Sequence, residues 1–152
     1  MGSHSLHTDI MIDARADQVW SVLSDFNAYP DWNPFIRSVI GQPVQGERLR
    51  IVVQPSGSKP MRFSPQVLVA EPLRELRWRG RMILPGIFDG EHSFTIEALS
   101  DNKVRFEQSE KFSGLLVGVL RTTLERDTKR GFEEMNQALK ARVEASVHGQ
   151  VD

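Results

Sequence analysis

The chain lacks cysteine altogether, and this absence removes several kinds of chemistry. None of its 152 residues can form a disulfide, act as a thiolate nucleophile or supply a thiolate ligand to a metal. An excess of charge is also missing, because 19 lysines and arginines offset 20 aspartates and glutamates and leave a net charge of −1. Since a nucleic-acid-binding domain normally carries a strongly basic face, we expect no nucleic-acid partner.

Membrane and targeting segments are missing too. No apolar run is long enough to span a bilayer. The first residues, Met1–His4, lack the charged and apolar regions of a secretory signal and in part resemble a cloning remnant. We therefore expect a cytoplasmic protein without stable membrane insertion.

The familiar catalytic motifs are absent as well. The sequence contains no G-x-S-x-G nucleophile elbow, no phosphate-binding glycine loop and no H-E-x-x-H metal motif. Its four histidines are scattered along the chain, at His4, His7, His92 and His148. Because metal ligands usually recur at short, regular spacings, we expect neither a metal site nor a cofactor.

The most informative stretch that is present covers residues 19–35. Four apolar residues recur there at the spacing of one α-helical face: Val19, Val22, Leu23 and Phe26. Pro30 and Pro34 then prevent the helix from continuing. Large aromatic residues occupy the connection that follows, where burial is usually least. They indicate that this connection closes over something apolar.

The rest of the chain has the pattern of short strands followed by one long helix. Alternating apolar and polar residues predict strands at residues 6–12, 36–40, 48–54, 61–70, 73–81, 90–99 and 103–112. The short turns between them favour an antiparallel sheet. From about Leu115 to Val147 the apolar spacing becomes helical. We find no repeat or linker, and we predict a single domain over residues 5–147.

Several of these segments together carry a family resemblance. They are Ile12–Ala14, Val19–Trp20 with Leu23, Tyr29–Phe35, Leu76–Trp78, Gly90–Phe94, Val104–Gln108 and Phe112–Leu116. The chain resembles the START-like superfamily, also called SRPBCC or the birch-pollen-allergen-like helix-grip family, in its polyketide cyclase/dehydrase-like branch. The resemblance implies an α+β helix-grip fold, with a curved seven-stranded antiparallel sheet wrapped around a long C-terminal helix and short helices after the first strand.

The alternation along two strands predicts a polar cluster on the apolar face of this sheet. Phe94 and Ile96 mark the inward face of one strand and place His92 on it. On the next strand the same alternation brings Gln108 and Glu110 inward. A carboxylate and an imidazole facing an apolar space can exchange protons, so His92 and Glu110 are the candidate catalytic residues. A bulge would instead return these groups to water, because it inverts the face of every residue beyond it.

Apolar residues of the same faces are candidates for the wall of a cavity. We predict ligand-binding residues at Trp78, His92, Phe94, Phe106, Gln108, Glu110, Leu120 and Leu124; ordinary core packing is the alternative. Two apolar segments, Met82–Phe88 and Gly114–Leu120, are candidates for the entrance. Contact with a second subunit would bury them equally well, so a homodimer is left open.

Three classes of function follow from the family resemblance and from the predicted lining of the cavity. The first is a binder of a hydrophobic small molecule, lipid-like or polycyclic, in the cavity between sheet and helix. The second is a polyketide cyclase/dehydratase-like enzyme that uses a few polar cavity residues. The third is a protein-interaction module resembling co-chaperones. We favour the binder because no sharp catalytic motif is present, and leave open whether the protein is an enzyme.

Overall fold

The computed structural model describes residues 2–82 and 86–149, and this part of the chain forms eight strands and a long C-terminal helical region. The strands are β1 (Gly2–Ile12), β2 (Ile36–Ile40), β3 (Arg50–Val53), β4 (Met61–Phe63), β5 (Gln66–Glu71), β6 (Glu75–Met82), β7 (Phe88–Ser100) and β8 (Lys103–Gly114). The α-helices are α1 (Ala16–Ser24), α2 (Tyr29–Trp32), α3 (Val117–Thr123) and α4 (Lys129–Gly149), with a 3₁₀ turn at Phe26–Ala28 and a π-helical turn at Leu124–Thr128.

The strands of the described residues form two antiparallel sheets. The larger has the order β1-β8-β7-β6-β5 and the smaller the order β2-β3-β4. An isolated bridge between Arg48 and Gln66 joins them. The predicted α+β helix-grip fold, with a large antiparallel sheet and a long C-terminal helix, is confirmed.

The number of strands differs slightly from the prediction of seven. The run at residues 61–70, predicted as one strand, is interrupted by Ser64 and Pro65, so β4 and β5 lie in different sheets. Proline has no N–H to donate to a ladder and is therefore found at sheet edges or breaks. The carbonyl of Pro65 still accepts a hydrogen bond from the Leu49 N–H, at 2.8 Å, which ties the break to the neighbouring segment.

The C-terminal helical region covers the apolar face of the larger sheet. Four residues at helical spacing, Phe132, Met135, Leu139 and Val143, are fully buried in α4. On the β1 side the Lys140 ammonium donates to the Met11 carbonyl at 3.1 Å. One continuous helix was predicted, but the π-helical turn separates α3 from α4. Among the described residues, no helix has both the length and the apolar character that a bilayer crossing requires.

The aromatic connection after α1 is buried, as the sequence indicates. Tyr29 is inaccessible to solvent, and its hydroxyl donates a short hydrogen bond to the Leu23 carbonyl. Burial raises the pKa of Tyr29, with a smaller contribution from the nearby Asp25 carboxylate. Phe35 packs edge-on against Phe132 with ring centroids 5.6 Å apart. The connection therefore closes one end of the space between the sheet and α4.

Two helical glycines provide a matched pair for a stability prediction. Gly131→Ala is expected to destabilise the protein by about 1–3 kcal/mol, because a Cβ there would lie within 3.0 Å of the Phe35 ring. Gly118→Ala is expected to stabilise it by up to about 1 kcal/mol, because the space at Gly118 is open and alanine favours helix. Urea unfolding of both variants measures the difference, and shifts of the same sign would contradict the packing argument.

Candidate ligand-binding site

A cavity of about 200 Å³ lies between the two sheets and the C-terminal helical region. Most of its lining is apolar. From the smaller sheet and nearby turns come Phe35, Ile51, Val53, Pro55, Met61, Phe63 and Pro65; from the larger sheet come Trp78, Gly80, Phe88, Gly90, His92, Glu110 and Phe112; from the helical region come Leu120, Thr123, Leu124 and Thr128.

Five of the eight predicted ligand-binding residues line this cavity. They are Trp78, His92, Glu110, Leu120 and Leu124. The other three, Phe94, Phe106 and Gln108, face the same side of the sheet but are fully buried outside the cavity lining. They lie farther along β7 and β8, where α4 packs directly on the sheet. Period-two alternation identifies the face of a strand, but not the position along it at which the cavity ends.

Sequence reasoning missed two groups of lining residues. The side chains of the smaller sheet, such as Ile51 and Phe63, were missed because nothing in the sequence fixes how that sheet is placed against the helix. Gly80 and Gly90 lie in strand interiors and line the cavity. A glycine inside a strand pattern often marks a close approach of backbone, and this signal was available.

His92 and Glu110 lie next to each other on the cavity wall, as predicted. They are directly paired across β7 and β8, and the His92 Nδ1 lies 3.3 Å from the Glu110 Oε1. The imidazole is only 5% exposed and stacks on Phe94 with ring centroids 4.4 Å apart. The Glu110 carboxylate is half-buried and faces the cavity.

The other ring nitrogen of His92 is held by Gln108. The Gln108 Nε2 donates to the Asn136 Oδ1 at 2.9 Å and to the Phe132 carbonyl at 3.4 Å, so the Gln108 Oε1 is the acceptor end of this amide. That oxygen lies 2.8 Å from the His92 Nε2. The His92 Nε2 must therefore carry a hydrogen.

Asn136 continues the network to the edge of the sheet. Its Nδ2 donates to the Thr8 hydroxyl oxygen at 2.9 Å, and that hydroxyl donates to the main-chain carbonyl of Gln108 at 3.3 Å. All the buried groups of this network thus have partners, which is what makes a polar network inside an apolar core tolerable. The network joins β1, β7, β8 and α4 at one place.

The fixed Nε2–H of His92 determines what faces the cavity. A neutral imidazole that carries its hydrogen on Nε2 presents a lone pair at Nδ1, and Nδ1 faces the Glu110 carboxylate. A hydrogen bond between the two groups therefore requires one further proton, held by either the imidazole or the carboxyl. The arrangement can give a proton to a polar group in the cavity or take one from it.

The predicted entrance segments meet at the start of α3. The Leu115 N–H donates to the Gly86 carbonyl at 3.1 Å, and the Leu116 N–H donates to the Ile87 carbonyl at 3.0 Å. Residues 83–85 of the first segment lie outside the described residues. Next to this junction Leu115 and Val119 are 64% and 80% exposed. The start of α3 thus presents apolar surface to solvent.

One group on the opposite face of the sheet has the composition of a metal site. The ligand atoms of His7, Asp9 and Glu107 lie within 4.8 Å of one another among the described residues. All three are partly or fully exposed. Exposed acidic groups are common on surfaces that bind no metal, so this cluster does not by itself indicate a metal ion.

Comparison with known proteins supports the architecture. The profile of a family described as polyketide cyclase / dehydrase and lipid transport matches residues 3–144. Among proteins with curated descriptions, none matches the chain in sequence.

Three solved structures illustrate the likeness in fold. The Zhui aromatase/cyclase from Streptomyces sp. R1128 has a TM-score of 0.79 at 20% identity, over 96% of both chains. Norcoclaurine synthase from Thalictrum flavum, as a point mutant with a transition-state analogue, has a TM-score of 0.73 at 13% identity, over 95% of this chain and 96% of that chain. A START superfamily protein from Mycobacterium smegmatis has a TM-score of 0.72 at 24% identity, over 93% and 98%. Identities this low show the fold alone.

Proposed function

The chain belongs to the polyketide cyclase / dehydrase and lipid transport family, and from this premise we propose that it binds a hydrophobic small molecule, lipid-like or polycyclic, in the cavity between its sheets and C-terminal helices. One observation carries the proposal: the lining is apolar apart from His92 and Glu110 on the larger sheet and Thr123 and Thr128 on the helical region. Among the lining residues that the structure describes, Glu110 is the only one with a formal charge. Such a surface favours apolar ligands and uses its polar groups to orient them.

The carboxylate on the sheet wall of the cavity fits a ligand with a hydrogen-bond donor. A half-buried carboxylate accepts hydrogen bonds strongly, so a hydroxyl or amine of the ligand would be held at Glu110. The aromatic walls around it, including Trp78 and Phe88, supply contact area for the remainder of the molecule. Apolar contact then provides most of the binding free energy, and Glu110 provides the orientation.

Leu124→Trp is expected to block uptake by filling the cavity from the helical side. Leu124 lines the cavity and is buried, and an empty space accepts the larger indole with limited loss of stability. Titration with the fluorescent probe N-phenylnaphthylamine measures binding to parent and variant. Leu99→Trp, at an exposed position near the end of β7 and outside both the lining and the entrance segments, is the matched control and should bind as the parent does.

Two outcomes of this experiment count against the proposal. Unchanged probe binding in Leu124→Trp would mean that the cavity is not the binding site. A loss of about 1–3 kcal/mol in the free energy of unfolding would mean that the space is a filled core, because overpacking costs about that much.

A second function is favoured by the His92–Glu110 pair. An imidazole and a carboxylate 3.3 Å apart on a cavity wall are the groups that a polyketide cyclase/dehydratase-like enzyme can use to move protons on a folded substrate. Two of the similar structures are described as an aromatase/cyclase and a norcoclaurine synthase. In this alternative His92 and Glu110 are the catalytic residues.

The setting of this activity is proposed on composition. We place the protein in the cytoplasm, as a single START-like domain over residues 5–147. Because its net charge is only −1, we propose that it has no nucleic-acid partner. The exposed Leu115 and Val119 leave room for a homodimer. Analytical ultracentrifugation tests the dimer.

A further inference from the structure

Positive charge is concentrated in one segment of the chain. Residues 36–65 contain four arginines and one lysine but a single carboxylate, Glu47, so this segment carries a net charge of +4. Because the whole chain has a net charge of −1, the rest of it carries −5. The segment forms the smaller sheet and its connections. The smaller sheet is therefore a cationic part of an otherwise acidic molecule, and such a separation of charge steers association with negatively charged partners.

The strand pattern places three of these arginines on the outer face of the smaller sheet, away from the cavity. On β4, Arg62 stands between two cavity-lining residues, and side chains alternate along a strand, so it points outward. Arg48 and Arg50 likewise flank the fully buried Leu49 at the start of β3. All three arginines are exposed. We call Arg48, Arg50 and Arg62 the arginine face.

The arginine face has no acidic counterpart. In the described part of the chain none of its three guanidinium groups forms an ion pair, and Arg48 donates only to the Ser64 carbonyl, at 2.9 Å. On the outward face of the larger sheet, by contrast, Arg77 and Arg105 each pair with two carboxylates. Unpaired charges often protect edge strands, but Arg50 lies on β3, the central strand of its sheet. The charge of this face is therefore available to a partner.

Aliphatic side chains are exposed beside these charges. Ile40 is paired with Arg50 across β2 and β3 and is 65% exposed. Val44, in the turn that follows β2, is 57% exposed. A surface of this composition suits the interface of an anionic bilayer, where guanidinium groups meet phosphates and aliphatic groups enter the boundary of the acyl chains. An acidic protein or polymer would satisfy the arginines but would give Ile40 no apolar surroundings.

One side chain connects the wall of the cavity with the surface next to this face. Met61 precedes Arg62 on β4, lines the cavity and is 40% exposed. An apolar molecule that leaves a bilayer at this edge of the smaller sheet would reach the cavity over a short path through water. This step of the argument rests on the proposed binding function, whereas the unpaired charge and the exposed aliphatic side chains do not.

We propose that the arginine face docks reversibly on a membrane surface that contains anionic phospholipids. In this arrangement the three guanidinium groups contact lipid phosphates, and Ile40 enters the boundary between headgroups and acyl chains. Each arginine held near an anionic surface strengthens binding about fivefold, and this contribution falls as salt is added. The acidic remainder of the molecule faces away from the membrane, which fixes the orientation of the protein.

Sedimentation with lipid vesicles tests the charge. We expect the protein to bind vesicles of phosphatidylcholine with about one third phosphatidylglycerol, and not vesicles of phosphatidylcholine alone. Arg50→Gln/Arg62→Gln is expected to weaken binding at least about tenfold. Lys111→Gln/Arg142→Gln removes the same charge from exposed positions on other faces and should bind within about twofold of the parent. Equal binding to neutral vesicles would overturn the inference, and so would equal losses in the two double variants.

A fluorescent dye at a single cysteine tests which surface meets the lipid. Because the chain lacks cysteine, Ile40→Cys provides a unique site for the dye NBD, whose emission we expect to shift to the blue on the anionic vesicles. Val119→Cys, at an exposed aliphatic position of α3, is the matched variant and should show no shift. A shift at position 119 and not at 40 would overturn the inference. Binding to heparin without a shift at position 40 would mean an acidic macromolecule as the partner, and would overturn it too.

Failure of this inference can be told apart from failure of the proposed function, because the vesicle experiments contain no cavity ligand. Leu124→Trp should bind the anionic vesicles as the parent does. If it blocks N-phenylnaphthylamine but the parent binds no vesicles, only the docking face is wrong. If the parent binds vesicles but Leu124→Trp leaves probe binding unchanged, the docking face is supported and the proposed binding in the cavity is wrong.

Discussion

Replacing Gln108 with leucine is expected to lower the free energy of unfolding by about 3–5 kcal/mol. The substitution leaves the His92 Nε2–H without its acceptor and the Asn136 Oδ1 without its donor, both in the interior. Each buried group that loses its partner costs about 1–3 kcal/mol. The free energy gained by burying the apolar leucine side chain is smaller than this sum. Urea unfolding measures the change.

A double-mutant cycle identifies the network as the cause. In the combined variant Gln108→Leu/Asn136→Leu, neither substitution leaves the other residue's polar group without a partner. The decrease in the free energy of unfolding should therefore be smaller than the sum of the two single decreases, by about 0.5–3 kcal/mol. Gln137→Leu, at an exposed neighbouring position of α4, should change stability by less than about 0.5 kcal/mol. A loss as small as this for Gln108→Leu would contradict the structural role of the network.

Glu110→Gln is expected to separate a binder from an enzyme. Glutamine keeps the shape, and its amide can still donate to the His92 Nδ1, but the titratable proton is gone. In a binder the variant should lose about 10–100-fold in affinity for ligands with a hydroxyl or amine, because a hydrogen bond to a charged group is lost. In an enzyme it should lose about 10²–10⁴-fold in rate while binding is retained.

The experiment needs the natural ligand and a control at the other face of the same strand. Mass spectrometry of molecules that co-purify with the protein supplies the ligand for a titration and a turnover assay. Glu107→Gln removes a carboxylate from the outward face of β8 and should leave both assays unchanged. If Glu110→Gln also matches the parent in both assays, the His92–Glu110 pair neither binds the ligand nor takes part in catalysis. The two side chains then only pair with each other at the edge of the cavity.

The sequence was sufficient to predict which side chains face inward. Alternation placed His92, Gln108 and Glu110 on the apolar face, and no bulge intervenes between them. It could not show that Gln108 lies under α4 while Glu110 lies in the open cavity. That difference depends on where the helix touches the sheet, a distance between segments far apart in the chain.

The helical region shows a second limit of sequence patterns. Apolar spacing predicted one helix over residues 115–147, but the chain changes to π-helical hydrogen bonding at Leu124–Thr128. A π-helical turn is rare and often occurs at functional sites. Both Leu124 and Thr128 line the cavity. The spacing of apolar residues does not predict such a turn, because the residues on either side of it keep their own helical spacing.

The division of the strands into two sheets has a consequence for how this protein can diversify. His92 and Glu110 belong to the larger sheet. The smaller sheet forms an opposing, apolar wall with Ile51, Val53, Met61 and Phe63. Substitutions in the smaller sheet can change the bulk of the molecule that fits without disturbing the groups that hold its polar end. The size of the ligand and its polar chemistry thus depend on separate parts of the chain.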